Sequence, residues 1–594
     1  MASNLNAIFD GLVGIPMPAR TAVTRLLGFD KAEQLYASLR SAGVEPLPER
    51  LLSRLNVTVR AGERDLEQIP RKGPVIVVAN HPFGILEGAV LATLLKRVRP
   101  DVKFLGNEIL SNIPEISGLL IPVDAMAIGA ARKNFAGLRR SMEFLQEGGC
   151  LVVFPAGEVA HYHARDRAVV DSPWHTTIPR MVETLSKRGI PVSTVPVHIG
   201  GANSLLFQFA GLTSEKLRTA LLVRELLNKR NRLVEVRIGT PVSNKKLLGI
   251  ATPEERTDYL RWRTELLASR FDYKPRTSLP LSNRVRRQPA EIAAAAVQAL
   301  MSKEIARLTP DQLLTKSGDL EVYIAPAGAI PITLREIGRL RELTFRAVGE
   351  GTGKSIDLDS FDAEYLHLFV WHAGRNDVVG AYRLAGTDVV RNLYTATLFK
   401  FDQRFIDGTG PALELGRSFV RAEYQKGFAP LLALWKGIGV WVARNPRYKI
   451  LFGPVSISNQ YQAVSRELMV AFLERSASVR NLVGLVSHRN PLSRRSGKLT
   501  LPESGFDVED LSDVISDLEP SRAGIPVLLR QYLKLGGKLL GFNVDPEFSS
   551  ALDGLILVDL CKTEPRLLER YLGKGAAAKF LDYWQKHDSN QRPV

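Results

Sequence analysis

Pro74-Val75-Ile76-Val77-Val78-Ala79-Asn80-His81-Pro82-Phe83-Gly84-Ile85-Leu86-Glu87-Gly88 decides how this chain is read. Its first six residues form an apolar run of strand length. Pro82 and Gly84 mark a turn, and Ala89-Val90-Leu91-Ala92-Thr93-Leu94-Leu95-Lys96 continues as a helix with Glu87 in its first turn. The spacing predicts a buried strand, a tight turn and a helix. A histidine at a strand end beside an acid is one way to build a general base. Imidazole titrates near pH ~6.5 and can take a proton from a hydroxyl. The acid can fix its tautomer and stabilise the imidazolium. A turn histidine that only caps the helix is the alternative, and His81 alone does not separate the two.

Working outward, 594 residues exceed one core, so two or more domains are expected. Apolar content of 45% and charged content of 24% exclude a disordered chain. Lys and Arg number 79 against 62 Asp and Glu, a net charge of +17 that calls for an anionic partner. Zinc-finger spacing and RNA-binding aromatic signatures are lacking. An anionic membrane surface and an acidic carrier protein therefore rank above nucleic acid, which is not expected as a partner. Cys150 and Cys561 cannot make a disulfide framework; both read as core residues in a reducing compartment. No charged-then-apolar leader opens the chain, and no apolar run approaches the ~18–20 residues of a membrane span. A protein that is soluble or lies on a membrane is expected.

Residues 1–70 read as an amphipathic helical segment. Leu5, Ile8, Phe9, Leu12 and Val13, then Leu26, Leu27, Leu35, Tyr36 and Leu39, follow helical spacing with Arg20, Arg25, Lys31 and Arg40 among them. Such helices either lie at a lipid interface or pack on their own domain. Residues 71–273 alternate strand and helix patterns, as an α/β domain does. Apolar runs at 102–107, 118–124, 150–154, 194–199 and 233–238 read as strands, and 131–145 as a helix carrying Arg132, Lys133, Asn134, Arg139 and Arg140. Three of the strands end in glycine turns, at His81–Gly88, Phe154-Pro155-Ala156-Gly157-Glu158 and Gly200-Gly201-Ala202-Asn203-Ser204. Ligands of open α/β sheets gather at strand carboxyl ends. His161, His163 and His175 lie in a polar loop without a carboxylate pattern to complete a metal site, and no metal is expected.

In order, His81 with Glu87, Leu120-Ile121-Pro122-Val123-Asp124, Phe154–Glu158 and Val195-Pro196-Val197 resemble the four motifs of the glycerophosphate and lysophospholipid acyltransferase family over about residues 70–245. Five residues, not four, separate His81 from its acid, which is Glu. Ala156 stands where the family has Glu, and Glu158 is displaced by two. Both spacings are similar to the divergent, haemolysin-labelled branch of that family. The resemblance implies O-acyl transfer with His81 as base and Glu87 as its orienter. It implies substrate contacts from Gly84, Phe154, Pro155, Gly157 and Glu158. Arg132, Lys133 and Asn134 are candidates by position for the acceptor headgroup or thioester donor, or are a solvated helix face.

Residues 274–289 read as a linker whose Arg284, Arg286 and Arg287 either touch lipid phosphate or line a soluble hinge. Residues 290–563 form a second module: a helix 289–307, a strand 320–325, a helix 334–348, strands at 366–370, 377–384 and 412–420, and a helix after Gly427. Asp357–Asp362, Val379-Gly380-Ala381-Tyr382-Arg383-Leu384 and Glu414-Leu415-Gly416-Arg417 resemble GNAT-like N-acyltransferases of ornithine- or other aminolipid synthesis, and more distantly acyl-homoserine-lactone synthases. That order implies an α+β GNAT domain beside the α/β domain. Tyr424-Gln425-Lys426-Gly427-Phe428-Ala429 sets Gln425 one place off the usual pyrophosphate loop. This shifts the expected co-substrate from acyl-CoA towards an acyl-acyl carrier protein, whose acidity suits a basic chain; no resident cofactor is expected. Glu414 is expected to order the amine's base or a water, and Arg417 to hold a carboxylate or carrier phosphate, or both form a structural ion pair with Arg383 or Arg346. Three positions apart, the two face opposite sides of a strand unless a bulge at Gly416 turns one back. Asp359 and Asp362 either receive a cationic headgroup or cap a loop. Gly536-Gly537 shapes an acyl groove or an ordinary turn, and 564–594 is a charged tail.

Together the resemblances imply a bifunctional acyltransferase at the cytoplasmic face of a bacterial inner membrane. The second module would N-acylate an amino acid such as ornithine with a 3-hydroxyacyl group, and the first would O-acylate the resulting lyso-lipid. A lysophospholipid acyltransferase with an accessory carrier-binding domain and a membrane-disrupting, haemolysin-like protein are the alternatives.

Overall fold

The computed structural model describes residues 28–41, 44–123, 131–211, 215–270, 289–476, 482, 484–492, 501–502 and 505–588. The amphipathic pattern of residues 1–27, Asp124, the side chains of Arg132 and Lys133, and the linker arginines 284, 286 and 287 lie outside the described residues. The chain divides into two compact units, residues 1–275 with 502–524, and residues 276–501 with 525–594. No helix among the described residues is long and apolar enough to cross a membrane.

The first unit is a mixed α/β fold. Its main sheet holds β1 (Thr58–Arg60), β2 (Val75–Ala79), β3 (Val102–Asn107), β4 (Leu120–Val123), β5 (Cys150–Val153), β8 (Ser193–Ile199) and β9 (Leu233–Ile238), in the order β1-β9-β8-β2-β5-β3-β4. β6 (His161–His163) and β7 (Ala168–Val170) form a separate hairpin. Every residue of β2 is buried, and β2 runs parallel to both neighbours, β5 and β8. A continuous β-branched run suits such a doubly covered strand. Pro196 stands in β8 opposite Val78, and β9 pairs antiparallel with β8 only from Val197 onward. The missing proline N–H thus falls in the gap between that ladder and the separate bridge of Thr194 with Val242.

Residues 1–70 are not wholly helical: β1 is the sheet's edge strand, parallel to β9. Leu35 and Leu39 of the helix Phe29–Ser41 are buried in the core of the unit, with Leu47 and Leu52. That helix packs on its own domain.

The second unit has an eight-stranded sheet of β10 (Leu313–Ser317), β11 (Leu320–Pro326), β12 (Leu366–His372), β13 (Asp377–Gly386), β15 (Ala412–Val420), β16 (Ile450–Ile457), β19 (Ala551–Asp559) and β18 (Lys538–Asp545), in that order. β14 (Phe399–Phe401) pairs with β17 (Val486–His488) outside it. Neighbours in the large sheet are antiparallel except β15 and β16, which run parallel and pair only over Ala412–Glu414 against Ile450–Phe452. Their ends therefore splay beyond Glu414. The expected helix 289–307 is confined to Gln298–Ile305; residues 289–297 are neither helix nor strand and bond through Ala290 and Ala293 to Gly353 and Ser355. Gly536 has φ +84° and Gly537 N–H bonds Tyr532 C=O at 2.8 Å, so this pair closes the helix Val527–Lys534 as a turn.

Two domain limits are corrected. Residues 502–524, inside the span read as one module, belong to the first unit. Their helix Val508–Leu518 buries Leu511, Val514, Ile515 and Leu518, and Asp517 accepts from Thr240 and Arg263 at 2.8 Å each. Residues 564–594 are not only a charged tail: the helices Pro565–Leu572 and Lys574–Asp588 belong to the second unit, where Leu568, Leu572, Ala577 and Phe580 are buried.

Candidate active sites

The turns after β5, β2 and β8 end three adjacent parallel strands, and the first candidate site sits there. His81 Nδ1 lies 2.6 Å from Glu87 Oε1. The same oxygen accepts the N–H groups of Phe83 at 3.0 Å and Gly84 at 2.7 Å, while Oε2 has no hydrogen-bond partner among the described residues. Gly84 has φ +101°, and a Cβ there would stand 2.7 Å from Leu222 Cδ2 and 3.0 Å from Val159 Cγ2. Only glycine fits this conformation and this space. Gly84 lets the chain turn so that Glu87, in the first turn of the helix Leu86–Lys96, reaches back to the ring.

Burial alone would lower the pKa of His81. The charge and hydrogen bond of Glu87, with Asp171 adding to them, more than offset this and raise it above 6.5. Burial would likewise raise the pKa of Glu87, but His81 and the Gly84 N–H outweigh it and hold it down. An ionised Glu87 can only accept, so Nδ1 carries the proton and Nε2 is the basic nitrogen. Among the described residues Nε2 has no hydrogen-bond partner. The ring stacks on Phe154, with centroids 4.5 Å apart and planes 17° apart.

The backbone of His81 is pinned on both sides. Its N–H bonds Asp171 Oδ1 at 3.1 Å, and its C=O accepts Ala160 N–H at 2.8 Å. Asn80 exchanges two side-chain bonds with the backbone of Ile199, at 3.0 and 2.7 Å, and Asn203 Nδ2 bonds Phe83 C=O at 3.2 Å. Pro155 C=O accepts His175 N–H at 3.0 Å, and Gly157 has φ +70°. Glu158 is tied to Ser172 and to the buried Arg218. Of this turn Phe154 stacks on His81, while Pro155 and Gly157 meet His175 and Glu158 meets Ser172 and Arg218; Asn134 lies on the helix Ala131–Gln146. That helix packs on β4 and also on β5, the neighbour of β2, and no contact of Asn134 with His81 is seen among the described residues. Sequence reasoning missed Asn80, Asp171 and Asn203. Only Asn80, next to His81, carried a local signal.

The second candidate site lies in the second unit where β15 and β16 splay. Glu414 is buried and accepts from Tyr365 Oη at 3.2 Å, Thr395 N–H at 3.3 Å and Thr395 Oγ1 at 2.9 Å. Burial, opposed by Thr395, Arg383 and Tyr365, pushes its pKa up to about 7. The register of β13 and β15 shifts between Ala381 and Arg383, and Arg417 has φ +49°, so β15 carries one extra residue there. This bulge brings Arg417 to the same aromatic group as Glu414. The Arg417 guanidinium lies 4.9 Å from the centroid of Tyr394, whose N–H bonds Tyr365 Oη at 2.8 Å.

Arg417 also faces Asp357 at 3.6 Å and Asp359 at 3.7 Å. Arg383 pairs with Asp359 at 2.6 Å and Asp362 at 3.3 Å, and Arg341 with Asp362 at 2.7 Å. Asp359 and Asp362 moreover form a capping box on Ser360–Ala363. Four of the expected residues, Asp359, Asp362, Arg383 and Arg417, thus meet in one ion-pair network. Arg346 stands apart from it, paired with Glu342 at 2.7 Å and bonded to Ala290 C=O and Lys354 C=O. Gln425 bonds Val420 C=O at 2.7 Å and so closes its own loop. Tyr365, Tyr394 and Thr395 were not anticipated, because they come from a bend before β12 and a short 3-10 helix, Tyr394–Thr397, with no spacing of their own.

An acyltransferase family model matches residues 52–273, and an acetyltransferase (GNAT) domain model matches residues 340–436. The glycine N(alpha)-acyltransferase of Bacteroides thetaiotaomicron is 34% identical over 284 residues, covering 43% of this chain and 84% of that protein. The lyso-glycine lipid O-acyltransferase of the same organism is 27% identical over 207 residues, covering 33% of this chain and 71% of that protein. The crystal structure of the 1-acyl-sn-glycerophosphate acyltransferase PlsC from Thermotoga maritima matches 43% of this chain and 90% of its own, at 21% identity and a TM-score of 0.20. The chain is an acyltransferase with a glycerolipid-type acyltransferase domain ahead of a GNAT domain, and it belongs to the family that includes the Bacteroides glycine N(alpha)-acyltransferase.

Proposed function

We propose that the chain builds a diacylated aminolipid in two steps. In the first, the GNAT-bearing unit transfers a 3-hydroxyacyl group from a thioester to the α-amine of an amino acid, of ornithine or glycine type. The amine attacks the carbonyl, a C–N bond forms, the C–S bond breaks, the amine gives up a proton, and the thiolate leaves. Glu414, whose pKa of about 7 suits proton uptake near neutrality, orders this proton transfer. In the second step, the 3-hydroxyl of the lyso-lipid attacks another acyl thioester. His81 Nε2 takes the hydroxyl proton and returns it to the departing thiolate, while Glu87 steadies the imidazolium.

The observation that carries this reading is the 2.6 Å pair of His81 Nδ1 and Glu87 Oε1. It leaves Nε2 as the base at the carboxyl end of β2. Relatives named for an N-acyl and an O-acyl step each match this single chain. Gln425, displaced by one place and bonded to Val420 C=O, turns the reading from coenzyme A towards an acyl carrier protein, and the net charge of +17 suits that acidic carrier and an anionic bilayer face as the workplace. Lipid mass spectrometry of a bacterial host that lacks aminolipids, expressing this chain, tests the reading. The wild type should yield the diacyl aminolipid, and H81A should accumulate the N-acyl lyso-lipid. Diacyl product from H81A overturns the role of His81, and absence of any aminolipid from the wild type overturns the pathway.

A further inference from the structure

The first unit holds a polar cavity that the proposed chemistry leaves unused. It measures about 420 Å³ and lies between the helices Phe29–Ser41 and Leu47–Arg54 and the end of the helix Glu215–Leu227. Lys31, Arg54 and Arg230 line it, and none of its lining residues is Asp or Glu. These cations have neither a hydrogen bond nor an ion pair among the described residues. Basic residues close by do. Arg40, on the same helix as Lys31, pairs with Glu115 at 3.1 Å, and Arg60, in the strand after Arg54, pairs with Glu235. The charge left over is the charge that faces the cavity.

Backbone bonds fix the walls. Asn231 N–H bonds Leu55 C=O and Thr58 N–H bonds Arg232 C=O, both at 2.9 Å, so the segments carrying Arg54 and Arg230 run side by side. These segments lead into β1 and β9. Since β9 is antiparallel to β8, its first residue stands beyond the carboxyl end of β8, at the sheet edge that carries the His81 turn. The helix Glu215–Leu227 crosses that edge: Arg218 bonds Glu158, Leu222 packs on Gly84, and Glu225 accepts the Ser204 N–H at 2.9 Å. Just past its end, Lys229 turns inward, 4.9 Å from the Phe83 ring centroid and 3.0 Å from Ala202 C=O, while Arg230 lines the cavity. Adjacent residues thus serve the cavity and the turn of the candidate base.

A concave wall with cations and no acid selects an anion, and arginine forks suit phosphate oxygens. The amides of Gln34 and Asn228 add neutral donors. The rim does not suit a bilayer: Leu35 is buried, Leu227 half-buried, and the exposed lining residues are all polar. A small phosphate-bearing group fits better. Coenzyme A and acyl carrier protein both hold the reacting sulfur on a pantetheine arm that ends in a phosphate. We propose that Lys31, Arg54 and Arg230 bind the phosphate of the pantetheine arm that brings the acyl group to His81. This rests on the O-acylation reading of the first unit.

The full-length protein is titrated calorimetrically with 4′-phosphopantetheine and with pantetheine, which lacks the phosphate. R54Q/R230Q should bind one 4′-phosphopantetheine fewer per chain than wild type. Wild type should bind pantetheine at least about tenfold more weakly than the phosphorylated arm. Both arginines are exposed, so the urea midpoint of the variant should match wild type. With lyso-lipid supplied, the variant's KM for acyl-coenzyme A or for acyl carrier protein should rise at least about tenfold, and the donor that responds is the source of the phosphate. Equal stoichiometry in variant and wild type, or both KM values unchanged, overturns the site. A variant that keeps its 4′-phosphopantetheine but loses phosphatidylglycerol vesicles also overturns it, in favour of a lipid headgroup. Failure of the O-acylation reading looks different: no donor acylates the lyso-lipid, while the stoichiometry still decides the phosphate site.

Discussion

Glu87 Oε1 meets His81 Nδ1 at 2.6 Å across a turn one residue longer than the four-residue spacing of the related motif. Gly84, at φ +101°, makes the turn, and the Phe83 and Gly84 N–H groups hold the carboxylate from its other side. The acid is thus fixed by its own helix start before it fixes the histidine.

The pH profile of O-acylation follows from this pair. The base must be neutral, so kcat/KM should rise with pH through the pKa of His81, which Glu87 holds above 6.5. In E87Q the charge that raises it is gone and burial dominates, so the rising limb should move to lower pH. The plateau should fall by about 10²–10⁴-fold, the usual worth of such catalysis. Rates with supplied lyso-lipid between pH 5 and 9 decide it; an unmoved limb would show that Glu87 does not act through the ring.

The two activities should separate by feeding. E414Q loses the carboxylate that titrates at about 7 and places an amide N–H₂ against the donors Tyr365 and Thr395. N-acylation should drop at least about 100-fold, and both lipids should vanish from cells. O-acylation of added lyso-lipid should persist, because His81 and Glu87 are untouched. Loss of both activities in the fed assay would mean that Glu414 supports folding and has no separate part in N-acylation.

Part of this was legible in the residues and part was not, for a physical reason. β2, its turn and Glu87 lie within fourteen residues of each other, and apolar run length, Pro82, Gly84 and helix entry are local signals. The bulge was legible only as a condition: spacing posed one at Gly416, and the structure has it at Arg417, with φ +49°. Asp171 lies 90 residues from His81, and nothing in its neighbours points there. The helix Val508–Leu518 shows an apolar face, but a face does not say which core it completes. That information resides in Asp517 finding Arg263, 254 residues earlier. Arg346 shows the converse: a basic residue on a helix near the expected site spends its charge on Glu342 and on closing the 290–295 stretch.

Asp517 should therefore matter to the first unit's stability. It receives Arg263 at 2.8 Å, Arg522 at 2.7 Å and Thr240 at 2.8 Å, almost wholly buried. D517A leaves Arg263 buried without its acid, a change that typically costs about 3–5 kcal/mol. Urea unfolding should show the first unit's transition at a clearly lower midpoint with that of the second unit unchanged. A midpoint within error of wild type would mean that the segment 502–524 contributes little to this core.

In the proposed reaction the lyso-lipid would reach His81 from a bilayer, and the surface next to that site is apolar. Leu205 is 75% exposed and Phe209 65%, on the helix Leu205–Gly211 that follows Asn203, the residue bonded to Phe83 C=O. Beside this helix stands the β6–β7 hairpin, whose feet, Ala160 and Asp171, are the two residues bonded to the His81 backbone; its tip exposes Arg165 and Arg167. Burying a large apolar side chain in lipid is worth about 1.5–3 kcal/mol, and the two arginines add attraction to anionic headgroups that salt screens. L205S/F209S should weaken sedimentation with vesicles of phosphatidylethanolamine and phosphatidylglycerol at least about tenfold and raise the KM for a vesicle-borne lyso-lipid. The kcat for a detergent-dispersed acceptor should stay close to wild type. R165Q/R167Q should weaken binding at low salt and little at high salt. If the leucine–phenylalanine double variant binds vesicles as tightly as wild type, the lipid reaches His81 by another face.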